Sequence, residues 1–318
     1  MLLSVAMCTY NGEAYLEAQL ASISAQSRRP DELIVCDDSS SDATLAIARQ
    51  FAEKAPFPVH IEVNPVNLGS TRNFDKAIRL CRGEIIALAD QDDVWLPEKL
   101  AMLERTFDNE PDCGLAFTDA EMVDPQLRPL GYRLWDAIHL YLRERQLFRA
   151  GHAFALLLRR YRVTGATMAF RSRHKDLILP IPPQWIHDAW IALLIAAVDL
   201  CVPVEQPLIR YRQHATQQLG ERKRGLYQQY LVAKRMSQTT YQAVAHRYTQ
   251  ACERLRLAKA PEDRLSALAA KITHFQRRTE MHAPGIWRLP LILRELWSGR
   301  YSRYSLGWKS LAQDLFLN

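Results

Sequence analysis

The chain lacks the marks of several large protein classes, and each absence narrows what it can be. Its longest apolar segment, Ala189 to Val204, is interrupted by Asp199 and falls short of the ~20 residues that a bilayer-spanning helix needs. The first residues enter an apolar strand within two positions, with no basic segment or long apolar stretch, so no secretory signal is expected. Six cysteines, at positions 8, 36, 81, 113, 201 and 252, form no Cys-x-x-Cys pair. Cys8, Cys36 and Cys113 lie in or beside apolar runs and read as small core residues of a reducing compartment. The turn after the first strand has no Gly-x-Gly-x-x-Gly and the chain has no Walker Gly-Lys-Ser/Thr, which argues against a dinucleotide cofactor and a P-loop. Any phosphate must be held by something other than a glycine cradle. The expected location is the cytoplasm, or peripheral at the inner face of the cell membrane.

At 318 residues the chain can bury a large core, and one α/β domain with a sizeable appendage is expected. The net charge of +6 conceals an asymmetry: residues 1–204 carry −6 and residues 205–318 carry +12. A basic module therefore follows an acidic one and should favour anionic surfaces. In the acidic part, apolar runs at Leu2–Cys8, Glu32–Cys36, Val59–Val63 and Glu84–Ala89 alternate with helical patterns. Four strand-helix units in about 100 residues argue for a mostly parallel sheet with right-handed crossovers. Polar residues gather after successive strands, at Thr9–Asn11, Asp37–Asp38, Asn67–Asn73 and Asp90–Asp93, and should meet in one crevice at the carboxyl edge of the sheet.

The densest of these is Asp90-Gln91-Asp92-Asp93, an Asp-x-Asp followed by Trp95-Leu96-Pro97 at the expected start of a helix. Three carboxylates at one strand end repel one another unless a cation neutralises them, and hard divalent cations take oxygen ligands. The competing reading is an acidic turn with Asp93 at a helix N-terminus. Farther on, Gly114–Phe117 reads as a strand and Thr118–Val123 as a polar turn. Leu134–Arg162 reads as helical, with Arg143, Arg145, Arg149, Arg159, Arg160 and Arg162 as a solvated face or an anionic acceptor path. Val163–Phe170 reads as a strand whose Gly165 admits close backbone approach by a ligand.

Together, Thr9-Tyr10-Asn11, Asp37 to Asp42, Asn67-Leu68-Gly69 and Asp90 to Trp95 resemble the inverting family-2 glycosyltransferases of the GT-A nucleotide-sugar fold, over roughly residues 1–220. The resemblance implies that Thr9, Tyr10, Asn11 and Asp38 contact base and ribose, with Asn67, Gly69 and Arg72 on the same nucleotide-sugar surface. It places Asp90 near the ribose, Gly165 beside the donor sugar, and Asp92 on a Mn²⁺ or Mg²⁺ that bridges the diphosphate, with Asp93 in support. It makes Asp188 of Trp185-Ile186-His187-Asp188-Ala189-Trp190 the general base, where a carboxylate within hydrogen-bond reach of the acceptor hydroxyl suffices. Helix N-cap is the other reading of Asp188. His187 stands where Glu is commoner, as in rhamnosyltransferase-like branches, and with Trp190 is expected to support the base. In Tyr211-Arg212-Gln213-His214, followed by Gln217 or Gln218 where Asn is commoner, His214 is a candidate metal or diphosphate ligand and Arg212 a candidate phosphate clamp. The processive Gln-x-x-Arg-Trp motif is absent, so single or few transfers are expected.

Residues 221–318 read as a helical, basic region. Tyr227, Tyr230, Leu231 and Lys234 form one partial face, and Leu255, Leu257, Leu265, Leu268 and Ile272 another, consistent with a packed hairpin. From Trp287 to Lys309 the chain interleaves Trp, Tyr, Leu and Arg, which suits an anionic membrane surface or intrachain packing; no nucleic-acid module accompanies it. The expected partners are a nucleotide-sugar donor, which the resemblance, through the His187-Asp188 variant and the C-terminal Tyr-Trp pattern, implies is dTDP-L-rhamnose or otherwise a UDP-sugar, and a saccharide or polyprenyl-diphosphate-linked glycan acceptor. Two rivals are a sugar-nucleotidyltransferase, which should show a glycine-rich basic loop after strand one, and a non-catalytic nucleotide-sugar scaffold, which needs no Asp188.

Overall fold

A computed structural model describes residues 1–214, 238–281 and 288–316. Two compact units result: Met1–Gly151 with Arg162–Glu221, and His152–Tyr161 with Arg222–Asn318. The first contains a nine-stranded mixed sheet. Its strands are β1 (Leu3–Thr9), β2 (Glu32–Asp37), β3 (Val59–Val63), β4 (Ile85–Asp90), β5 (Val94–Trp95), β6 (Cys113–Val123), β7 (Pro129–Arg133), β8 (Met168–Arg171) and β9 (Leu200–Arg212). The order is β3-β2-β1-β4-β8-β6-β9-β5, with β7 alongside β6. The ladders β1–β2, β1–β4, β2–β3 and β6–β9 are parallel. β8 runs antiparallel between β4 and β6.

Strands β1 and β4 are apolar on both faces, and both are buried, as interior strands of an α/β sheet require. Their register sets Thr9 beside Asp37 and Cys8 beside Asp90. Because these strands are parallel, the polar residues that follow them emerge along one edge. Helices Leu16–Ser24, Thr44–Ala52 and Ser70–Leu80 connect them.

Four segments differ from the sequence reading. Thr118–Val123 is no turn but the second half of β6, carried onward by pairing with β9 and β7. Its polar groups are satisfied inside the sheet: Thr118 Oγ1 donates to the Asp119 carbonyl, and Asp119 Oδ1 accepts the Ala120 and Trp135 amides. Trp95 does not open a helix, because Val94–Trp95 pairs with β9 and the helix begins at Lys99. Residues 165–167 form a tight turn, leaving only Met168–Arg171 as strand. Leu134–Arg162 is broken into helices Leu134–Ala137, Leu142–Leu147 and Ala153–Arg159, with Gly151 at φ +79° before the third; that φ favours glycine.

The second unit is helical, with Gln238–Leu257 and Glu262–Glu280 forming a hairpin and Leu289–Trp297, Arg300–Tyr304 and Trp308–Phe316 following. Leu255 and Leu268 are buried in it, whereas Leu257 is exposed. The expected face at Tyr227, Tyr230, Leu231 and Lys234, together with Gln217, Gln218 and Trp287, lies outside the described residues. Among the described residues no helix is long and apolar enough to cross a membrane.

Candidate active site

The loops after β1 and β2 are laced together by short polar side chains. Thr9 Oγ1 donates to Asp37 Oδ2 at 2.8 Å, and the Asp38 amide donates to the Thr9 carbonyl at 2.8 Å. Asp37 also accepts the Ser40 amide and hydroxyl. Asn11, at φ +45°, accepts the Ser41 amide on Oδ1 at 2.9 Å and donates its own amide to Ser40 Oγ at 2.9 Å. Asp38 is buried, and its carboxylate receives Asn64 Nδ2 at 2.9 Å and the amides of Leu68 and Gly69 at 2.8 Å each. It thus pins the Asn67-Leu68-Gly69 turn, where Gly69 takes φ +81° and Asn67 Oδ1 accepts the Gly69 amide. These bonds give Asp38 a scaffolding role. Tyr10 and Arg72 are exposed.

Gln91, the residue between the two outer acids of Asp90-Gln91-Asp92, is the latch between the first loop and the acidic one. Its Oε1 accepts the Tyr10 amide at 2.8 Å and its Nε2 donates to the Tyr10 carbonyl at 2.9 Å. A Cβ on Gly12 would lie 2.2 Å from Gln91 Oε1, so the latch requires glycine there. Neither role was evident from the sequence; an Asn-Gly pair facing an Asp-x-Asp was the only available signal.

Within the acidic loop, burial first, and then the charges of Asp92 and Asp188, push the Asp90 carboxyl up to about 7 against the opposing pull of Lys99. Asp93 is raised well above the ordinary carboxyl range, by burial first and then by Asp92 and Asp90. Its Oδ1 accepts the Arg212 amide at 3.1 Å, while its Oδ2 is buried without a partner among the described residues. Lys99 is fully buried and donates to the Ala166 carbonyl at 2.8 Å, with its ammonium 3.4 Å from the Trp95 ring centroid. Burial lowers its pKa well below the usual lysine value, against the pull of Asp93 and Asp90.

His214 Nε2 lies 2.8 Å from Asp92 Oδ2, and its ring rests 4.7 Å from that of Tyr15. Arg212, expected as a phosphate clamp, is instead buried: Nε donates to the Asp92 carbonyl at 2.7 Å, Nη1 to the Pro125 carbonyl, and the guanidinium stacks over Tyr15. These contacts brace the acidic loop.

Asp188 is the second residue of the His187–Val198 helix, after Ile186 at the N-cap position. Its Oδ2 accepts the Gly165 amide at 2.9 Å and its Oδ1 the Ala189 amide at 2.7 Å. The carboxylate is therefore tied to the helix start and to the turn before β8. A Cβ on Gly165 would sit 2.8 Å from His187 Nε2 and 3.4 Å from Asp188 Cβ. His187 is buried, stacks on Phe74 at 4.0 Å between centroids, and has no hydrogen-bond partner on either ring nitrogen among the described residues. Burial lowers its pKa, partly opposed by Asp188. Trp190 is a core residue that donates Nε1–H to the Ile178 carbonyl at 2.7 Å.

Among the described residues no group of three or more His, Cys, Asp or Glu side chains is arranged to enclose a metal ion. The donor set nevertheless fits a hard divalent ion completed by phosphate oxygens and water: Asp92 and His214 already touch, and Asp90 and Asp93 add two further carboxyl groups in the same loop.

Residues 4–173, just over half the chain, match Glycosyl transferase family 2, and the chain belongs to that family. Among curated relatives, it is 33% identical over 101 residues to the E. coli UDP-Glc:alpha-D-GlcNAc-diphosphoundecaprenol beta-1,3-glucosyltransferase WfgD, covering 32% of this chain and 39% of that one. The matched region spans about two fifths of the length of the first such relatives. Among solved structures, S. aureus TarS in complex with UDP-GlcNAc superposes with a TM-score of 0.60 at 16% identity, over 95% of this chain and 82% of that one. The mannosyltransferase PcManGT from Pyrobaculum calidifontis, in complex with GDP-Man and Mn²⁺, superposes with a TM-score of 0.51 at 17% identity, over 99% and 84%. These likenesses identify the fold as GT-A.

Proposed function

We propose that the chain transfers one sugar, or a few, from a nucleoside-diphosphate donor to a hydroxyl of a cell-surface saccharide or a polyprenyl-diphosphate-linked glycan, with inversion at the anomeric carbon. The observation that carries this reading is the position of Asp188. Two backbone amides hold its carboxylate, and its charge acts on Asp90, which supports reading it as a base near the acidic loop. In the proposed reaction the acceptor oxygen attacks the anomeric carbon while its proton passes to Asp188. The bond from that carbon to the diphosphate breaks, and its electron pair leaves with the nucleoside diphosphate. Thr9 to Asn11 and the Asn67–Gly69 turn hold the nucleoside, and Arg212 keeps Asp92 facing the diphosphate. Asp92 and His214 would hold a Mn²⁺ or Mg²⁺, which would supply positive charge for that leaving group. Support for the metal comes from the donor set and from the family membership.

For the donor we propose dTDP-L-rhamnose, on the resemblance carried by the His187-Asp188 variant and the C-terminal Tyr-Trp pattern, with a UDP-sugar as the next choice; the protein would work at the cytoplasmic face of the membrane. Calorimetric titration with dTDP-rhamnose, UDP-glucose, UDP-galactose, UDP-N-acetylglucosamine and GDP-mannose, with and without Mn²⁺, tests the reading. Mn²⁺-dependent binding of one donor is the expected result. Donor binding without any transfer to saccharide acceptors would favour a nucleotide-sugar scaffold. Failure of every donor to bind the folded protein would overturn the proposal.

A further inference from the structure

Helices on a protein surface ordinarily bury their apolar stripe and expose their polar one. The helices Leu289–Trp297 and Trp308–Phe316 depart from this by burying acidic or polar residues while exposing large apolar ones. In Leu289–Trp297 the buried residues are Ile292 and Glu295, while Leu289, Leu293, Leu296 and Trp297 are exposed. At 3.6 residues per turn those four fall within an arc of roughly 100°, a continuous apolar stripe. In Trp308–Phe316 the buried residues are Ser310, Gln313 and Asp314, and Trp308 and Phe316 point to solvent. Trp297 is 83% exposed and Trp308 73%. Arg288 Nη2 donates to the Leu315 carbonyl at 3.1 Å, which joins the start of the first helix to the end of the second. Scattered exposed leucines need no explanation, but a stripe this dense with two free indoles marks an interaction surface.

Charge decides which partner it fits. The stretch 288–316 contains only two acids, and both are withdrawn. Glu295 is fully buried against His274 at 2.7 Å, Arg277, and Arg300 at 2.9 Å. Asp314 is fully buried against Arg278, with both contacts at 2.8 Å, and accepts the Tyr301 hydroxyl at 2.7 Å. The exposed charges that remain, on Arg294, Arg303 and Lys309, are all positive. A second copy of this chain would bring the same positive face against itself. An anionic bilayer offers the complement: headgroup phosphates for the cations, and a headgroup–acyl boundary for indole and leucine.

We propose that residues 289–316 seat the chain in the plane of an anionic membrane, with Leu289, Leu293, Leu296, Trp297 and Trp308 in the boundary layer and Arg294, Arg303 and Lys309 on lipid phosphates. This surface is independent of which sugar is transferred, so its failure would leave the catalytic reading intact.

The test is co-sedimentation of the full chain with vesicles of phosphatidylcholine alone or mixed with phosphatidylglycerol. Binding to the mixed vesicles, weakened by salt and by omission of phosphatidylglycerol, is expected. Near such a surface each cation contributes about five-fold in affinity. Arg294→Glu with Lys309→Glu should therefore reduce partitioning by at least about 25-fold, and Trp297→Ser with Trp308→Ser should reduce it at any salt concentration. Quenching of wild-type tryptophan fluorescence by brominated phosphatidylglycerol reads insertion without any variant. Wild-type protein that stays in the supernatant, an absence of quenching, or folded variants that bind as the wild type does would overturn the proposal. So would a wild-type dimer that the tryptophan variant converts to monomer, because the face would then be a self-association surface.

Discussion

Replacing Gly12 by Ala should damage the protein through a residue 79 positions away in sequence, and removal of that residue should repair the damage. A methyl at position 12 would lie 2.2 Å from Gln91 Oε1 and 2.4 Å from its Cδ, well inside contact distance. Gly12 has no positive φ to penalise alanine, so the effect must come from the displaced amide. Moving Gln91 breaks both of its bonds to the Tyr10 backbone. At about 1 kcal/mol net per hydrogen bond, Gly12→Ala should destabilise the catalytic unit by about 2 kcal/mol, and Gln91→Ala by a similar amount. The double variant should lose no more than Gln91→Ala alone, a coupling of about 2 kcal/mol. For a unit of this size that corresponds to a Tm difference of roughly 4–8 °C in differential scanning calorimetry. Because the latch aligns Thr9–Asn11 with Asp90–Asp92, Gly12→Ala should also weaken nucleotide-diphosphate binding. Additive losses in the double variant would refute the argument, since the two positions would then act through separate contacts.

Asp188→Asn should lower transfer by about 10²–10⁴-fold and leave donor affinity within twofold, read by radiolabelled sugar transfer beside calorimetry. Asp92→Ala and His214→Ala should each weaken the Mn²⁺-dependent part of donor binding by at least about tenfold, while binding without metal stays unchanged. Gly165→Ala would push its Cβ to 2.8 Å from His187 Nε2 beside the base, so kcat should fall with little change in donor affinity. The helical unit should be labile to acid. Burial raises the Glu295 carboxyl, but hydrogen bonds from His274, Arg277 and Arg300 overcome it and hold the group at about 2. About 3 kcal/mol of stability, fully present above the unfolded value near 4.5, should therefore be lost as pH falls toward 2, and Glu295→Gln should flatten that dependence in urea titrations followed by circular dichroism.

How far the fold could be read from the sequence depended on whether burial and polarity agreed. β1 and β4 were legible because strands covered on both faces need apolar residues throughout, and their parallel register then gathered Thr9, Asp37 and Asp90 at one edge. The second half of β6 was misread because Thr118 and Asp119 satisfy their polar groups locally and can be buried, a pattern that looks like a turn on paper. Arg212 posed a harder problem. A guanidinium beside acidic and histidine residues reads as a phosphate ligand, and only the carbonyls of Asp92 and Pro125 around it reveal a brace. The terminal helices present the same ambiguity in its purest form, since a helical pattern gives the angle between two faces but not which of them packs inward. In Trp308–Phe316 the answer comes from the other side of the contact: Arg278, buried in Glu262–Glu280, requires a carboxylate, so Asp314 turns inward and Trp308 is left facing out. Arg278→Met with Asp314→Leu removes that requirement. If the buried pair sets the orientation of this helix, the double variant should shield Trp308 from iodide quenching and weaken vesicle binding; an unchanged quenching profile would mean that Tyr301 and Gln313 suffice to hold the helix in place.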